Sequence, residues 1–324
     1  MQVIALDAMG GDNAPKAIVQ GAALAAKELG VHILLVGRTK DIEREISQVS
    51  APANAFTIVE APDIIETHEK PTSAVRRKKQ SSMMVGLKTV KEGRASAFIS
   101  AGSTGALLTA ATVVVGRSEG IERPALGVLI PRQEGFTFLL DCGANVDCKP
   151  SYLEQFARLG SDYVSQVLNI QSPRVGLINV GAEQEKGNML TKEAYSLLEQ
   201  SGLNFTGNVE ARDIPLGAVD VAVCDAFVGN IVLKYTEGLA KGILGIIKTE
   251  LTADPLSKVG ALLAKGAFKR IKQHFNYDDM GGAAFLGLNK LVVKAHGSSN
   301  AAAICGAVRQ CIKYSKEREM AGGI

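Results

Sequence analysis

The sequence contains no tryptophan, only four histidines and none of the loops that mark the commonest nucleotide and metal enzymes. It has no Gly-x-Gly-x-x-Gly loop, no Walker A loop and no His-Glu-x-x-His pair. This argues against a common dinucleotide enzyme, a P-loop kinase and a zincin. Its five cysteines are odd in number and lack a zinc-ligand spacing, so we expect free thiols in a reducing cytoplasm. We predict neither a bound metal nor a cofactor.

Strong charge and long apolar runs are also missing. The formal net charge is +3 in 324 residues, which is not the basic field of a nucleic-acid-binding protein. No stretch reaches the roughly 18 uncharged apolar residues that a membrane span needs. The segment Met1–Asp7 contains an acid and no basic cluster, and is typical of a strand rather than an export signal. These absences favour a cytoplasmic protein without a nucleic-acid partner.

Short β-branched runs alternate with longer helical patterns along most of the chain. Val3–Asp7 predicts a strand, and Pro15–Leu29 predicts a helix with proline in its first turn and Gly30 just past its end. Further strands are predicted at Ile33–Gly37, Thr57–Ala61, Ala97–Ala101, Leu126–Ile130, Thr137–Cys142, Val175–Val180 and Val219–Cys224. This spacing indicates βαβ units, so we predict one α/β domain over residues 1–324 with a mostly parallel sheet.

Residues 227–277 depart from this rhythm. Two long helical patterns are separated by Asp254-Pro255, which predicts a projecting helical hairpin with a net charge of +5. The second pattern carries the basic residues Lys265, Lys269, Arg270 and Lys272, with apolar Leu256 and Val259 near the bend. Such a surface suits an anionic membrane or an acidic protein. A dimerisation element with solvated lysines is the alternative.

Two glycine-rich loops suggest an anion site. In Asp7–Asp12, the glycines Gly10 and Gly11 allow a ligand close to the backbone, although a tight turn with Asp12 as a helix cap fits equally well. Ser100–Ala106 precedes a predicted apolar helix over Ala106–Val115. Its free N–H groups and small hydroxyls favour a phosphate over an ordinary cap. The predicted phosphate-binding residues are Gly102, Ser103, Thr104, Gly105, Gly10 and Gly11.

Polar residues follow other predicted strands, at Asp141–Asn145, Asn179–Asn188, Asp225–Asn230 and Lys294–Asn300. Ligands of parallel sheets bind at the carboxyl ends of strands, so we expect all these loops to line one concave edge. A single lysine such as Lys186 is more often solvated than functional. His296 lies beside glycine and serines at a helix start, where catalytic and structural roles are equally compatible with the sequence.

Taken in order, these loops resemble the PlsX family of phosphate acyltransferases. The runs Ala74–Lys79 with Ser81-Ser82-Met83, Gly207–Asp213 and Gly281-Gly282-Ala283 with Gly287-Leu288 match as well, and the resemblance covers residues 3 to about 315. It implies a three-layer α/β fold similar to phosphotransacetylases and to isocitrate and isopropylmalate dehydrogenases. It also implies a cytoplasmic homodimer that moves a fatty acyl group from acyl carrier protein to inorganic phosphate. The acyl phosphate then feeds a glycerol-3-phosphate acyltransferase in phospholipid synthesis.

The family pattern does not fix the catalytic residues, so their roles are inferred from chemistry. Phosphate is already an anionic nucleophile, and the enzyme must hold it near a thioester and stabilise an oxyanion. We predict that His296 or Lys186 donates to the oxyanion or the leaving sulfur. The predicted catalytic set is His296, Lys186, Asn230 and Asp12, with Asn145, Asn179 and Ser298 orienting the substrate. An acyl-enzyme on Cys142 or Cys224 is less favoured because neither has an evident histidine partner.

Three other functions are compatible with parts of the sequence. A phosphotransacylase that uses acyl-coenzyme A would share the phosphate loop, but it would not need the basic hairpin that suits an acidic carrier protein. A decarboxylating dehydrogenase of related fold would need a cluster of metal-binding carboxylates, which the sequence does not suggest. A membrane scaffold would leave the polar loops unexplained. For the enzyme we expect peripheral association with the inner face of the membrane, through the hairpin.

Overall fold

A computed structural model describes the backbone of residues 2–274 and 282–320. Side chains of residues 272–274 and 315–320 lie outside the description, which includes Lys272; so do Gly281 and residues 275–277 of the expected hairpin. The strands are β1 Val3–Asp7, β2 His32–Gly37, β3 Phe56–Glu60, β4 Ala97–Ser100, β5 Ala125–Pro131, β6 Phe136–Leu140, β7 Val175–Ile178, β8 Phe205–Val209, β9 Val221–Val223, β10 Ala283–Leu286 and β11 Leu291–Lys294.

The helices alternate with these strands through most of the chain. They are α1 Lys16–Leu29, α2 Thr39–Ile46, α3 Pro71–Arg77, α4 Ser82–Lys91, α5 Thr104–Val114, α6 Pro150–Val167, α7 Met189–Glu199, α8 Ala226–Leu251, α9 Pro255–Leu263, α10 Lys265–His274 and α11 Ala301–Met320. A 3-10 turn, Ala211–Leu216, precedes β9. None of the described helices is both long enough and apolar enough to cross a membrane.

All eleven strands form one sheet, in the order β3-β2-β1-β4-β11-β10-β5-β6-β9-β7-β8. Its pairs are parallel except for β11–β10, β10–β5 and β5–β6, so the prediction of a mostly parallel sheet is confirmed. The strand predictions give no bounds for β8, β10 and β11, although a strand is expected to end at Lys294, as β11 does. β6 and β7 end two residues before their predicted ends, because the chain turns into polar loops there.

The three central antiparallel pairs reverse the direction of half the sheet. Strands β1, β4 and β11 run one way, whereas β6, β9 and β7 run the other way. Their carboxyl ends therefore lie at opposite edges. The prediction that every polar loop lines a single edge is wrong, because it assumed a uniform strand direction.

Helices cover both faces of the sheet and produce three layers. Along β1, Ile4 and Leu6 pack beneath α1 and α11, whereas Ala5 between them packs beneath α4 and α5. This alternation follows the two-residue period of a strand. In the other half, α6 and α7 cover one face and the start of α8 covers the other.

The predicted hairpin is present but differs in form. α8 runs for 26 residues, starting against Asp141 and passing back across the sheet face before it projects beyond it. The predicted second helix is two helices, because the chain breaks at Ala264 between α9 and α10. Asp254 caps α9 by accepting hydrogen bonds from the N–H groups of Leu256 and Ser257, both at 2.9 Å. α9 has no buried residue.

Candidate active site

The loops that follow β1, β4 and β11 pack directly against one another. A Cβ atom on Gly10 would lie 2.9 Å from the Gly102 nitrogen, and one on Gly11 would lie 2.9 Å from the Gly297 oxygen. Gly11 also has a φ of +98°, a conformation that side chains rarely adopt. The Asp12 N–H donates to the Gly297 oxygen at 2.8 Å. Glycine is therefore needed here for close contact between the three loops.

A buried carboxylate supports this junction from below. Asp7 is 3% exposed and accepts a 2.6 Å hydrogen bond from the Ser100 hydroxyl, which accepts a 3.1 Å bond from the Gly102 N–H. Burial raises the pKa of Asp7, and hydrogen bonds from Ser100 and Ser82 oppose that rise. The Gly102 N–H is occupied in this network. Gly102 consequently shapes the loop, and its N–H is not among the donors that the loop leaves free.

The first turn of α5 supplies the remaining donors. Ser103 is the N-cap, and its hydroxyl accepts a weak 3.5 Å hydrogen bond from the Ala106 N–H. Among the described residues, the N–H groups of Ser103, Thr104 and Gly105 have no protein acceptor, and neither has the Thr104 hydroxyl. These groups carry the positive end of the helix dipole. They form a suitable cradle for an anion, provided that cations lie nearby.

Two lysines and a histidine are brought together at this edge. Lys234, from α8, lies with its Nζ atom 3.3 Å from Nε2 of His296. Lys294, at the end of β11, donates to the backbone oxygens of Ala101, at 3.3 Å, and of Ala295. Ala101 and Gly102 connect β4 to the first turn of α5, so the lysine ammonium lies beside the anion cradle.

Burial and the charges of neighbouring groups change the pKa values of Lys294 and His296. Burial, together with the charge of Lys234, lowers the pKa of Lys294 to about 8, while Asp12 and Asp7 partly oppose the shift. Burial and the same Lys234 charge lower the pKa of His296. At neutral pH the histidine is therefore mainly uncharged, whereas Lys294 is mainly charged and close to its titration point. An anion bound here would relieve the repulsion between the cations.

Polar contacts at both ring nitrogens hold His296 in place. Its Nδ1 atom lies 2.8 Å from the Ser298 hydroxyl, and its Nε2 atom faces the Lys234 ammonium. The Ser298 N–H also donates to Nδ1, at 3.2 Å, so Ser298 contacts this nitrogen through both its hydroxyl and its backbone. Ser298 thus orients the histidine, and the histidine holds Lys234 toward the cradle.

Asn230 lies on the same helix as Lys234. It is exposed in the first turns of that helix, four residues before Lys234, and residues at this spacing are neighbours on one helix face. Glu237, on the same face, pairs with Lys234 at 2.8 Å. α8 therefore carries an amide, a cation and an acid along the side that approaches His296.

Three predicted residues lie at the opposite edge of the sheet. Asn145 is buried and donates to Asp141 and to the Pro124 oxygen, at 2.7 and 2.8 Å, while Asp141 also accepts from three backbone N–H groups of its own turn. Asn179 donates to the Lys186 oxygen at 3.1 Å and so closes its own loop, from which the Lys186 side chain extends into solvent. Their contacts within this chain are structural, and they do not meet His296.

Two cysteines considered as nucleophiles are inaccessible. Cys142 and Cys224 are 2% and 3% exposed, and burial raises the pKa of both thiols well above its ordinary value. A reactive cysteine needs the opposite environment. All five cysteines are free thiols, as expected. Within the described ranges, no three His, Cys, Asp or Glu side chains are grouped so that they could hold a metal ion.

Four residues that shape the site were not predicted as site residues: Lys234, Lys294, Asp7 and Ser100. The last three lie in loops that the sequence indicated, but no role was assigned to them. The lysines lie inside helix and strand patterns, where a single lysine resembles a solvated residue. A usable signal was present for Lys294, because a lysine that directly follows the apolar run Leu291–Val293 is expected to be partly buried. Lys234 had no such signal, because its contact with His296 joins residues 62 positions apart.

Comparisons with known proteins agree with this architecture. The model of a family described as "Fatty acid synthesis protein" matches residues 2–320. A phosphate acyltransferase of Clostridium acetobutylicum is 48% identical over 317 residues, covering 98% of this chain and 96% of that protein. One of Desulforamulus reducens is 50% identical over 308 residues, covering 94% and 91%.

Solved structures show the same fold at low identity. A phosphotransacetylase from Streptococcus pyogenes superposes with a TM-score of 0.66 at 17% identity, covering 98% of this chain and 94% of that chain. A 4-hydroxythreonine-4-phosphate dehydrogenase from Klebsiella pneumoniae gives 0.58 at 12% identity, covering 96% and 99%. The predicted fold class is confirmed. With near-complete coverage by relatives at almost half identity, the chain belongs to the PlsX family of phosphate acyltransferases.

Proposed function

We propose that this chain transfers a fatty acyl group from acyl carrier protein to inorganic phosphate and so makes an acyl phosphate for phospholipid synthesis. Acyl transfer to phosphate is the activity named in its relatives. The observation that carries the proposal is the position of Lys234, Lys294 and His296 beside the first turn of α5. Unpaired N–H donors and adjacent cations are the chemistry that phosphate needs.

Phosphate binds the N–H groups of Ser103, Thr104 and Gly105, with the Lys294 ammonium on its other side. The anion is already a nucleophile, so the site's main task is to hold one phosphate oxygen against the thioester carbonyl carbon. Asp12 opposes the lowering of the Lys294 pKa and so helps to keep this lysine protonated. Gly10 and Gly11 keep the approach to the anion free of side chains.

Lys234 stabilises the charge that develops during transfer. A phosphate oxygen bonds to the carbonyl carbon, the carbonyl oxygen becomes an oxyanion, and the carbon–sulfur bond then breaks to release the carrier thiolate. The Lys234 ammonium, held by His296 and Glu237, donates to the oxyanion and then to the leaving sulfur. The donor role is assigned to the Lys234–His296 pair rather than to Lys186, because Lys186 lies at the far edge.

The activity is tested with purified protein, acyl carrier protein substrate and phosphate, without added metal or nucleotide. Acyl phosphate and free carrier thiol are expected in equal amounts, and both products should depend on phosphate. A Lys234→Met variant should lose most turnover, whereas Lys241→Met, one lysine further along α8, is the matched control. Normal turnover in Lys234→Met would remove the proposed oxyanion donor.

The proposed acyl donor is an acidic carrier protein because of the charge on α9 and α10. Lys265, Lys269 and Arg270 are exposed and form no ion pair among the described residues, and no acid occurs from 255 to 274. A positive surface increases the rate of encounter with an acidic partner and is weakened by salt. Lys269→Glu/Arg270→Glu should weaken carrier binding. If acyl-coenzyme A were the clearly better donor, the chain would instead be a phosphotransacylase.

The exposed apolar residues of the hairpin support two further parts of the proposal. Along α8, Tyr235, Leu239, Ile243 and Ile246 form one exposed stripe, which we assign to a homodimer. At the tip, Leu256 and Val259 are 81% and 57% exposed beside lysines. Apolar residues ringed by cations suit the anionic inner face of a membrane, where the downstream glycerol-3-phosphate acyltransferase would receive the acyl phosphate.

A further inference from the structure

A groove next to the anion cradle is not used by the chemistry described above. It has a volume of about 610 Å³ and is enclosed by α3, α4 and α5. Pro71 at the start of α3 contacts the first turn of α5, since a Cβ on Gly105 would lie 3.1 Å from its ring. The groove runs along α5 from Thr109, one turn past the cradle, to Val113. Its volume is that of a small-molecule site.

The groove has an apolar floor and hydroxyl groups at the end near the cradle. The floor is apolar and consists of the buried side chains Val75 and Met84, with the exposed Val113 at the far end. Thr72 and Thr109 place hydroxyl groups near the cradle, and the Thr109 hydroxyl donates to the Gly105 oxygen at 2.7 Å, which leaves its lone pairs for an amide donor. A ligand here therefore needs apolar groups and amides.

Three cations lie along the same groove. Arg76, Lys79 and Lys88 line it, and none forms an ion pair within the described part of the chain. Their neighbours Arg77 and Lys78 both pair with Glu69, at 3.8 and 2.5 Å. Glu92, four residues after Lys88, pairs with Arg94 at 3.2 Å, so both acids already have other cationic partners. Unpaired cations beside an apolar groove favour a ligand that carries one strongly anionic group.

We propose that this groove binds the phosphopantetheine arm of the acyl donor. The phosphate of the arm contacts Arg76, Lys79 and Lys88, its methyl groups and amides lie between α3 and α5, and its thioester reaches the cradle. The inference rests on the proposed function, because it assumes a thioester donor. The arm is common to acyl carrier protein and coenzyme A, and the groove recognises this shared chemistry.

Calorimetry with free 4′-phosphopantetheine and with pantetheine tests the groove without turnover. Wild type should bind the phosphorylated arm at least about tenfold more tightly, the effect of one hydrogen bond to a charged group. Arg76→Gln/Lys79→Gln/Lys88→Gln should abolish this preference. The control Lys27→Gln/Lys40→Gln/Lys192→Gln removes the same charge from distant exposed lysines and should preserve it. Equal binding of both compounds to wild type, or a preference that survives in the groove variant, would overturn the proposal.

A steric variant tests the path of the arm. Val113 is 66% exposed, so Val113→Trp can fill the groove without disturbing the core. It should weaken phosphopantetheine binding by about four- to fifteenfold, because the contact of one or two buried methylene equivalents is lost. The matched control is Leu197→Trp, at an exposed position on α7. Unchanged binding in Val113→Trp would place the arm elsewhere.

Coenzyme A and holo-acyl carrier protein distinguish the two sources of the arm. Recognition of the arm predicts that the triple groove variant weakens binding of both. Weaker binding of carrier protein alone would show that the three cations contact the carrier surface, which would overturn the proposal. Because these are binding measurements, a protein that bound the arm but made no acyl phosphate would refute the proposed function and leave the groove assignment intact.

Discussion

Lys294 offers the sharpest test of the active site, because one substitution should change folding and function in different ways. The lysine is largely buried, and its pKa is lowered to about 8 from an ordinary value of 10.5. Its folded pKa is below its unfolded pKa, so between about pH 8 and 10.5 the unfolded state binds more protons. Stability should therefore rise with pH across that window.

The size of this effect follows from the shift. Two and a half pKa units correspond to about 3 kcal/mol of unfolding free energy, of which about 2 to 3 kcal/mol should be gained between pH 7 and pH 10. Lys294→Met removes the titrating group and should lose this gain. Denaturant unfolding in phosphate-free buffer at several pH values measures it as the difference between variant and wild type. Lys290→Met, an exposed lysine on the turn before the same strand, should follow wild type.

The effect of Lys294→Met on function is measured as the KM for phosphate. Losing a charged hydrogen-bond donor to an anion costs roughly 1.5–3 kcal/mol, so the KM for phosphate should rise about ten- to a hundredfold. In wild type, phosphate affinity should fall as pH rises through about 8 and Lys294 loses its charge. A variant with the pH-stability curve and phosphate KM of wild type would refute the assignment of Lys294 to the anion site.

Three further outcomes are expected. Thr104→Ala should raise the KM for phosphate about tenfold, because its hydroxyl lies in the cradle; an unchanged KM would make this turn an ordinary helix start. His296→Ala should lower kcat with little change in unfolding free energy, whereas normal turnover would show that the histidine is structural. Leu256→Glu/Val259→Glu should reduce sedimentation with anionic vesicles at low salt, since burial of the apolar tip is lost; equal sedimentation of variant and wild type would exclude membrane contact through the tip.

The fold was largely predictable because its signals are local. β1 matches its predicted bounds. α1 begins one residue after its predicted start and ends at Leu29 as predicted, with Gly30 next to it in the left-handed conformation. The missed strands β8 and β10 are short and weakly apolar, with glycine, threonine and asparagine in β8. Their β structure depends on partners elsewhere in the sheet, which a local pattern does not contain.

The sequence by itself determined the first turn of α5 and the glycine loops beside it. Gly10, Gly11 and the first turn of α5 follow strands directly, so local chemistry places them at a sheet edge. The direction of the strands was decided only by tertiary structure. The antiparallel pairs made by β10 and β5 reverse the strands of one half of the sheet, and so put Lys186 and Asn145 at the opposite edge from His296. The cation cluster was decided in the same way, because Lys234 meets His296 only after α8 has crossed the sheet face.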